Sequence, residues 1–232
     1  MKKNILIIGG SSGVGLELVK LLYEDHNLIV ANRTNESISG LPITFIPFDV
    51  ETDELDVNQI PDQLNGFVYC PGSINLRPFK GLKEEVFKND FSINVLGAIK
   101  TLQAVQNKLQ NSETPSSVVF FSTVAVRTGM PFHSSVAAAK GALEGLARSL
   151  AAELAPKIRV NVIAPSLVDT RMAEKFLNNE TKKSNAASRH PLERVGDPEE
   201  IAQMAKFLLS DHSSWMTSQT ITIDGGIGSI KR

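Results

Sequence analysis

The residues best suited to do chemistry begin at the first glycines. Ile8-Gly9-Gly10-Ser11-Ser12-Gly13-Val14-Gly15 follows a short apolar run and opens a stretch of helical periodicity. In that context glycine spacing signals a dinucleotide site. Glycines permit positive φ and close backbone approach to a pyrophosphate, whose charge is met by amides at a helix N-terminus, and Ser11 and Ser12 add hydroxyl donors. The plainer alternative is a tight strand-to-helix turn without ligand; the order strand, loop, helix favours the nucleotide. The second apolar run ends Val30-Ala31-Asn32-Arg33. An NAD site holds an acidic residue there for the ribose hydroxyls, whereas neutral Asn32 and cationic Arg33 suit a 2′-phosphate. NADP(H) is therefore expected in preference to NAD(H), against the alternative that Arg33 is a solvated loop residue. Asp49 and Val50 follow the third run; they meet the adenine, or Asp49 instead caps the helix that follows.

These residues need a scaffold, and the chain supplies one. Seven short runs rich in Ile, Val and Phe, at residues 5–8, 28–30, 43–48, 67–69, 118–121, 160–163 and 220–223, alternate with helical patterns that include 16–23, 90–110, 136–155 and 198–209. Several runs are apolar at consecutive positions, as strands covered on both faces must be. The pattern predicts one Rossmann-type, doubly wound α/β domain over residues 1–232, with a seven-stranded parallel sheet and helices on both faces. Between Asp49 and Gly66 the chain is short and carries Pro61, which leaves room for a turn or two of helix. Residues 171–196 are polar and irregular and read as a substrate lid. Within them Lys182, Lys183 and Arg189 either meet an anionic acyl carrier group or form a solvated face.

Composition excludes several functions. In 232 residues, 24 basic and 25 acidic side chains leave a formal charge of −1, which gives no basic field for nucleic acid or anionic lipid. Met1-Lys2-Lys3 precedes an apolar run that stops at Gly9-Gly10, too short for a signal peptide or membrane span, so a cytoplasmic protein is expected. Cys70 is the sole cysteine and the four histidines, at 26, 133, 190 and 212, lack ligand spacing. No disulfide and no metal site is expected, and Cys70 reads as buried packing, not as a nucleophile.

From the first strand to Asp224-Gly225-Gly226 the chain resembles the short-chain dehydrogenase/reductase family, especially its 3-oxoacyl-reductase-like branch. The loop matches that family's Thr-Gly-x-x-x-Gly-x-Gly with Ile8 in the threonine place. Asn94 in Ile93-Asn94-Val95 matches its active-site asparagine, and Lys140 its lysine. Tyr69-Cys70-Pro71-Gly72 stands where Asn-Asn-Ala-Gly is usual, which puts Gly72 at the cofactor. Asn161-Val162-Ile163-Ala164-Pro165-Ser166, with Thr170 after it, matches the segment that contacts the nicotinamide; Pro165 is retained and Ser166 replaces a glycine.

The resemblance implies hydride transfer between nicotinamide C4 and a carbonyl or carbinol carbon while a tyrosine hydroxyl moves the proton. A lysine lowers the phenol's pKa and holds the ribose, a serine positions the substrate oxygen, and an asparagine anchors a water relay. Thr123, 13 residues before Val136, takes the serine role, with Ser122 as the fallback. The tyrosine place, four residues before Lys140, is held by Val136, which donates nothing. Tyr23 and Tyr69, the only tyrosines, lie elsewhere. His133 is a proton shuttle or a solvated loop histidine, and a water held by Thr123, Asn94 and Lys140 is a poor acid.

Three functions follow: an NADP(H)-dependent reductase of a small carbonyl or acyl substrate with weakened or altered chemistry; a catalytically inactive, cofactor-binding partner of an active paralogue; or elimination with Lys140 or His133 as base. The resemblance further implies a homo-dimer or homo-tetramer, or a hetero-oligomer with a paralogue, built on the helices that hold Asn94 and Lys140. Gly141, Ala142, Gly145 and Ala147 serve that contact or are small only to pack on the sheet.

Overall fold

A computed structural model describes residues 2–230. Its strands are β1 (Asn4–Ile8), β2 (Asn27–Asn32), β3 (Thr44–Pro47), β4 (Gly66–Tyr69), β5 (Ser116–Phe121), β6 (Ile158–Pro165) and β7 (Thr220–Ile223). The helices are α1 (Gly13–Leu22), α2 (Glu84–Phe91), α3 (Gly97–Gln110), α4 (Ala125–Thr128), α5 (Ser134–Leu154), α6 (Glu174–Leu177), α7 (Glu180–Ala187) and α8 (Pro198–Leu209). All seven strands pair in parallel in the order β3-β2-β1-β4-β5-β6-β7. The doubly wound sheet expected from the apolar runs is thus present.

The sheet divides two cores. Phe67, Tyr69, Phe120 and Val160 point to the face covered by α3 and α5; Ile5, Ile7, Val68 and Val119 point to the face covered by α1 and α8. Consecutive strand residues therefore serve opposite cores, which is why the runs are apolar throughout. The chain order reverses between β1 and β4, and the loops leaving the C-terminal edges of the strands open a crevice at that switch point.

Two segments differ from the sequence reading. Residues 90–110 are not one helix. α2 ends at Phe91, a π-helical turn occupies Ser92–Leu96, and α3 resumes at Gly97. The cause lies on β4, where the Tyr69 hydroxyl donates to the Ile93 carbonyl at 2.5 Å. In a regular helix that carbonyl would accept from Gly97 N–H, which instead bonds Ser92 O. Gly97 also makes room for the phenol, because a Cβ there would stand 2.2 Å from Tyr69 Oη.

The second difference is in residues 171–196, which hold a 3-10 turn (Arg171–Ala173), α6 and α7. Asn179 caps α7 by accepting from Lys182 N–H, so a polar composition concealed a short capped helix. The segment is closed at its base by a parallel bridge between Val168 and Gly196. The short crossover before β4 carries only a 3-10 turn, Val57–Gln59.

Candidate active site

The glycine loop turns directly from β1 into α1. Gly9 and Gly13 hold φ of +82° and +53°, the left-handed region that favours glycine. Gly15 packs against the loop's own backbone; a Cβ there would lie 2.2 Å from Gly9 O. No acidic side chain occupies the first turn of α1 and Ser12 makes no cap bond, so the amides and positive end of the helix remain available to an anion. Ser11 is placed differently from its expected role. Its hydroxyl accepts from the Asn32 side-chain amide, which also donates to Thr34 O at 2.9 Å, and Ser11 does not line the cavity. This pair ties the loop to the end of β2.

The crevice is a cavity of about 490 Å³. On the nucleotide side it is lined by Gly9, Ser12, Gly13, Val14 and Gly15, with Asn32 and Arg33 at the end of β2. Arg33 is exposed and makes no hydrogen bond or ion pair among the described residues. Asp49 and Val50 line the same side. Asp49 does not cap the 3-10 helix, which Asp56 caps; it instead accepts from Glu51 N–H at 2.9 Å and shapes the turn after β3. Gly72, Pro165 and Thr170 continue the wall toward the interior end, where Asn94, Thr123, Val136 and Lys140 also line it.

At that interior end Val136 is 4% exposed and stands one helical turn before Lys140. Burial holds the Lys140 ammonium down to about 8, with Cys70 and Asp90 opposing the shift. Lys140 makes no hydrogen bond or salt bridge among the described residues. Asn94, in the π-helical turn, donates from Nδ2 to Asp90 O at 2.7 Å and to Ser73 Oγ at 3.0 Å. Its buried Oδ1 has no partner among the described residues. A Cβ on Gly72 would fall 3.1 Å from that oxygen and 3.5 Å from Lys140 Nζ, so both polar atoms crowd one point of the cavity wall.

The hydroxyl readings separate cleanly. Ser122 donates to Glu144 Oε1 at 2.5 Å, which commits its proton, whereas Thr123 Oγ1 only accepts from Ala125 N–H at 3.3 Å and keeps its own. His133 lines the rim with Nδ1 2.8 Å from Pro131 O; because a carbonyl only accepts, Nδ1 carries the hydrogen. Cys70 faces the cavity, and burial pushes its thiol up to about 12, which makes it inert. Tyr69 is buried, its phenol raised by burial and engaged with Ile93 O.

Two groups escaped the sequence reading. Asp90 is 0% exposed, and its carboxylate accepts from Ser73 Oγ at 2.5 Å, Asn75 Nδ2 at 2.9 Å and Ser135 Oγ at 2.6 Å. Its spacing of four from Asn94 was the available signal, since i and i+4 share a helix face. Ser166 and His190 form the other group, with Oγ 2.8 Å from Nε2. Nothing in the sequence joins them.

A family model described as Enoyl-(Acyl carrier protein) reductase matches residues 18–228. The chain belongs to the short-chain dehydrogenase/reductase family. It is 32% identical to an L-xylulose reductase of Bos taurus over 97% of this chain and 96% of that protein. It is 31% identical to a 3-oxoacyl-[acyl-carrier-protein] reductase of Thermotoga maritima over 97% of each. Among solved structures, a short chain dehydrogenase family protein from Francisella tularensis superposes with a TM-score of 0.88 at 29% identity, covering 99% of this chain and all of the other. ElxO with NADP bound superposes with a TM-score of 0.88 at 26% identity, covering 99% of this chain and 100% of that one. This short-chain dehydrogenase/reductase is therefore an oxidoreductase-family chain.

Proposed function

We propose that this chain binds NADP(H) in preference to NAD(H) and reduces a small carbonyl or acyl substrate, with the proton supplied by a group other than a tyrosine. The observation that carries this reading is Arg33, an exposed cation without a partner among the described residues, at the edge of a cavity whose lining includes both the glycine loop and Lys140. Such a cation suits a 2′-phosphate through charge-assisted hydrogen bonds, and the bound NADP of ElxO supports it.

The cavity fits the cofactor on its own geometry. Gly9, Gly13 and Gly15 line it at positions where a Cβ would press on Pro71, Thr170 and Gly9 O. The N-terminus of α1 borders it with no acidic side chain in its first turn, and Asn94 Oδ1 and Lys140 Nζ are buried without partners among the described residues. When bound, the reduced nicotinamide supplies the hydride. Amides at Ser12–Val14 hold the pyrophosphate. Lys140 Nζ donates to ribose hydroxyls. Thr123 Oγ1 orients the substrate oxygen, and Met172 and Phe176, which line the cavity from the 171–196 segment, exclude water. Mixing the protein with NADPH and a panel of ketoses, dicarbonyls and 3-oxoacyl thioesters tests the reading. Loss of NADPH absorbance with formation of the alcohol supports it, and no turnover of any panel member counts against it.

A second reading, a cofactor-binding subunit that supports an active paralogue, draws on the exposed Phe91 and Leu96, 40% and 50% accessible, beside Asn94. Those side chains suit a docking face on the helices that hold the site.

A further inference from the structure

Proton supply is the open question of this pocket, and one pair of side chains has the geometry to answer it. We propose that Ser166 and His190 form a hydroxyl–imidazole relay that delivers the proton a phenol at position 136 would have given. The inference rests on the reductase reading above.

Ser166 is the first residue after β6, and Val124 N–H donates to Pro165 O at 3.1 Å. The Pro165–Ser166 peptide therefore lies beside Thr123–Val124 at the ends of neighbouring strands, and Ser166, Thr123, Val136 and His190 line one cavity. By the resemblance drawn from the sequence, Ser166 replaces a glycine, and its hydroxyl stands in the cavity wall.

The histidine is held in one orientation. His190 is 4% exposed, and its Nδ1 lies 2.8 Å from Ala186 O. A carbonyl accepts only, so Nδ1 carries the hydrogen and, in the neutral ring, Nε2 accepts from the Ser166 hydroxyl at 2.8 Å. Gly225 packs on the ring; a Cβ there would fall 3.3 Å from His190 Cβ. A hydroxyl bonded to a base that a third group orients is the arrangement by which proteins couple a hydroxyl to proton transfer.

The step balances. With the imidazolium, Nε2–H donates to Ser166 Oγ and the serine O–H turns to the substrate carbonyl oxygen. As hydride from NADPH reaches the carbonyl carbon, the C=O π pair becomes a lone pair on oxygen. That oxygen takes the serine proton, Oγ takes the Nε2 proton, and neutral His190 is reprotonated by solvent. Ser166 is the group that touches substrate, and His190 positions and recharges it. Of the other hydroxyls near this end, Ser122 is committed to Glu144 and Tyr69 to Ile93 O, whereas Thr123 keeps its proton but has no base bonded to it that could recharge it.

The test has a readout that needs no cofactor. A fluorophosphonate probe is incubated with cofactor-free wild type, Ser166→Gly and His190→Gln, and the modified residue is mapped by mass spectrometry. Ser166 is labelled in wild type, Ser166→Gly loses the label, and His190→Gln slows labelling at least ~10-fold. With NADPH and butane-2,3-dione, Ser166→Gly and His190→Gln lower kcat by about 100-fold with KM within roughly 2-fold. Ser166→Thr retains turnover, and a solvent deuterium effect on wild-type kcat is lost in His190→Gln. Ser166→Gly keeps the test valid should His190→Gln fail to fold. An unlabelled Ser166, labelling that ignores His190→Gln, or unchanged kcat in the variants overturns the relay. Failure of the reductase reading itself shows separately, as absence of NADPH binding or of turnover while Ser166 labelling stays intact and dependent on His190.

Discussion

Ser135 Oγ donates to the buried Asp90 carboxylate at 2.6 Å, which pins the residue before Val136 to the helix leading into Asn94. Ser73 and Asn75 complete the carboxylate's partners from the loop after β4. Three segments of the site thus converge on one side chain. Removing it leaves three polar groups without an acceptor, so Asp90→Ala is expected to destabilise the fold by about 2–4 kcal/mol. Asp90→Asn, which retains one acceptor, costs less. Urea unfolding followed by circular dichroism measures both, and equal stability of Asp90→Ala and wild type would contradict the role.

Val136 lines the cavity with its side chain one turn before Lys140, so a larger ring there enters open space instead of the core. Val136→Tyr introduced into the Ser166→Gly variant is expected to raise kcat for carbonyl reduction by about 10²–10⁴-fold, the usual worth of a positioned acid. Steady-state kinetics with NADPH and butane-2,3-dione checks it. No recovery in a folded double variant would show that the rest of the machinery cannot use a phenol.

Lys140 titrates near 8 in the fold against 10.5 for the free side chain, chiefly because it is buried. Below about 8 it is charged in both folded and unfolded chains, and the fold bears the full cost of burying the ammonium. Between about 8 and 10.5 the unfolded chain binds more protons, so wild-type stability rises with pH in that window. Lys140→Met should therefore be more stable than cofactor-free wild type at pH 7, by roughly 3 kcal/mol, and the gain should fade as pH approaches 10.5. Thermal unfolding across this range measures the difference; a gain independent of pH would contradict the assignment.

Phe91 and Leu96 expose apolar surface beside the π-helical turn. Sedimentation velocity at micromolar concentration is expected to show a dimer or tetramer for wild type and a monomer for Phe91→Glu combined with Leu96→Glu. A monomeric wild type would contradict assembly through this face.

Much of this architecture was legible in the residues because it is written locally. Runs of consecutive apolar residues marked the strands, and α8 begins at Pro198 behind Asp197, whose capping box with Glu200 is readable as Asp-Pro-Glu-Glu. The break at Asn94 was not legible, since its cause, Tyr69, lies 24 residues before the carbonyl it captures. Ser166 and His190 are likewise 24 residues apart, across a segment without periodicity. Helical spacing did place Val136 and Lys140 on one face. It could not show that Asp90 pins the neighbouring Ser135 from another helix, a contact 45 residues apart. Ser11 was read as a phosphate donor from its loop alone, and only the fold brings Asn32 against it.

Calorimetric titration of wild type and Arg33→Ala with NADPH and with NADH tests the central claim most directly. Wild type is expected to bind NADPH at micromolar concentration and NADH more weakly, with Arg33→Ala losing about 10–100-fold for NADPH and little for NADH, the worth of a charge-assisted hydrogen bond. Equal affinity for the two cofactors in wild type, or binding of neither, would contradict the account.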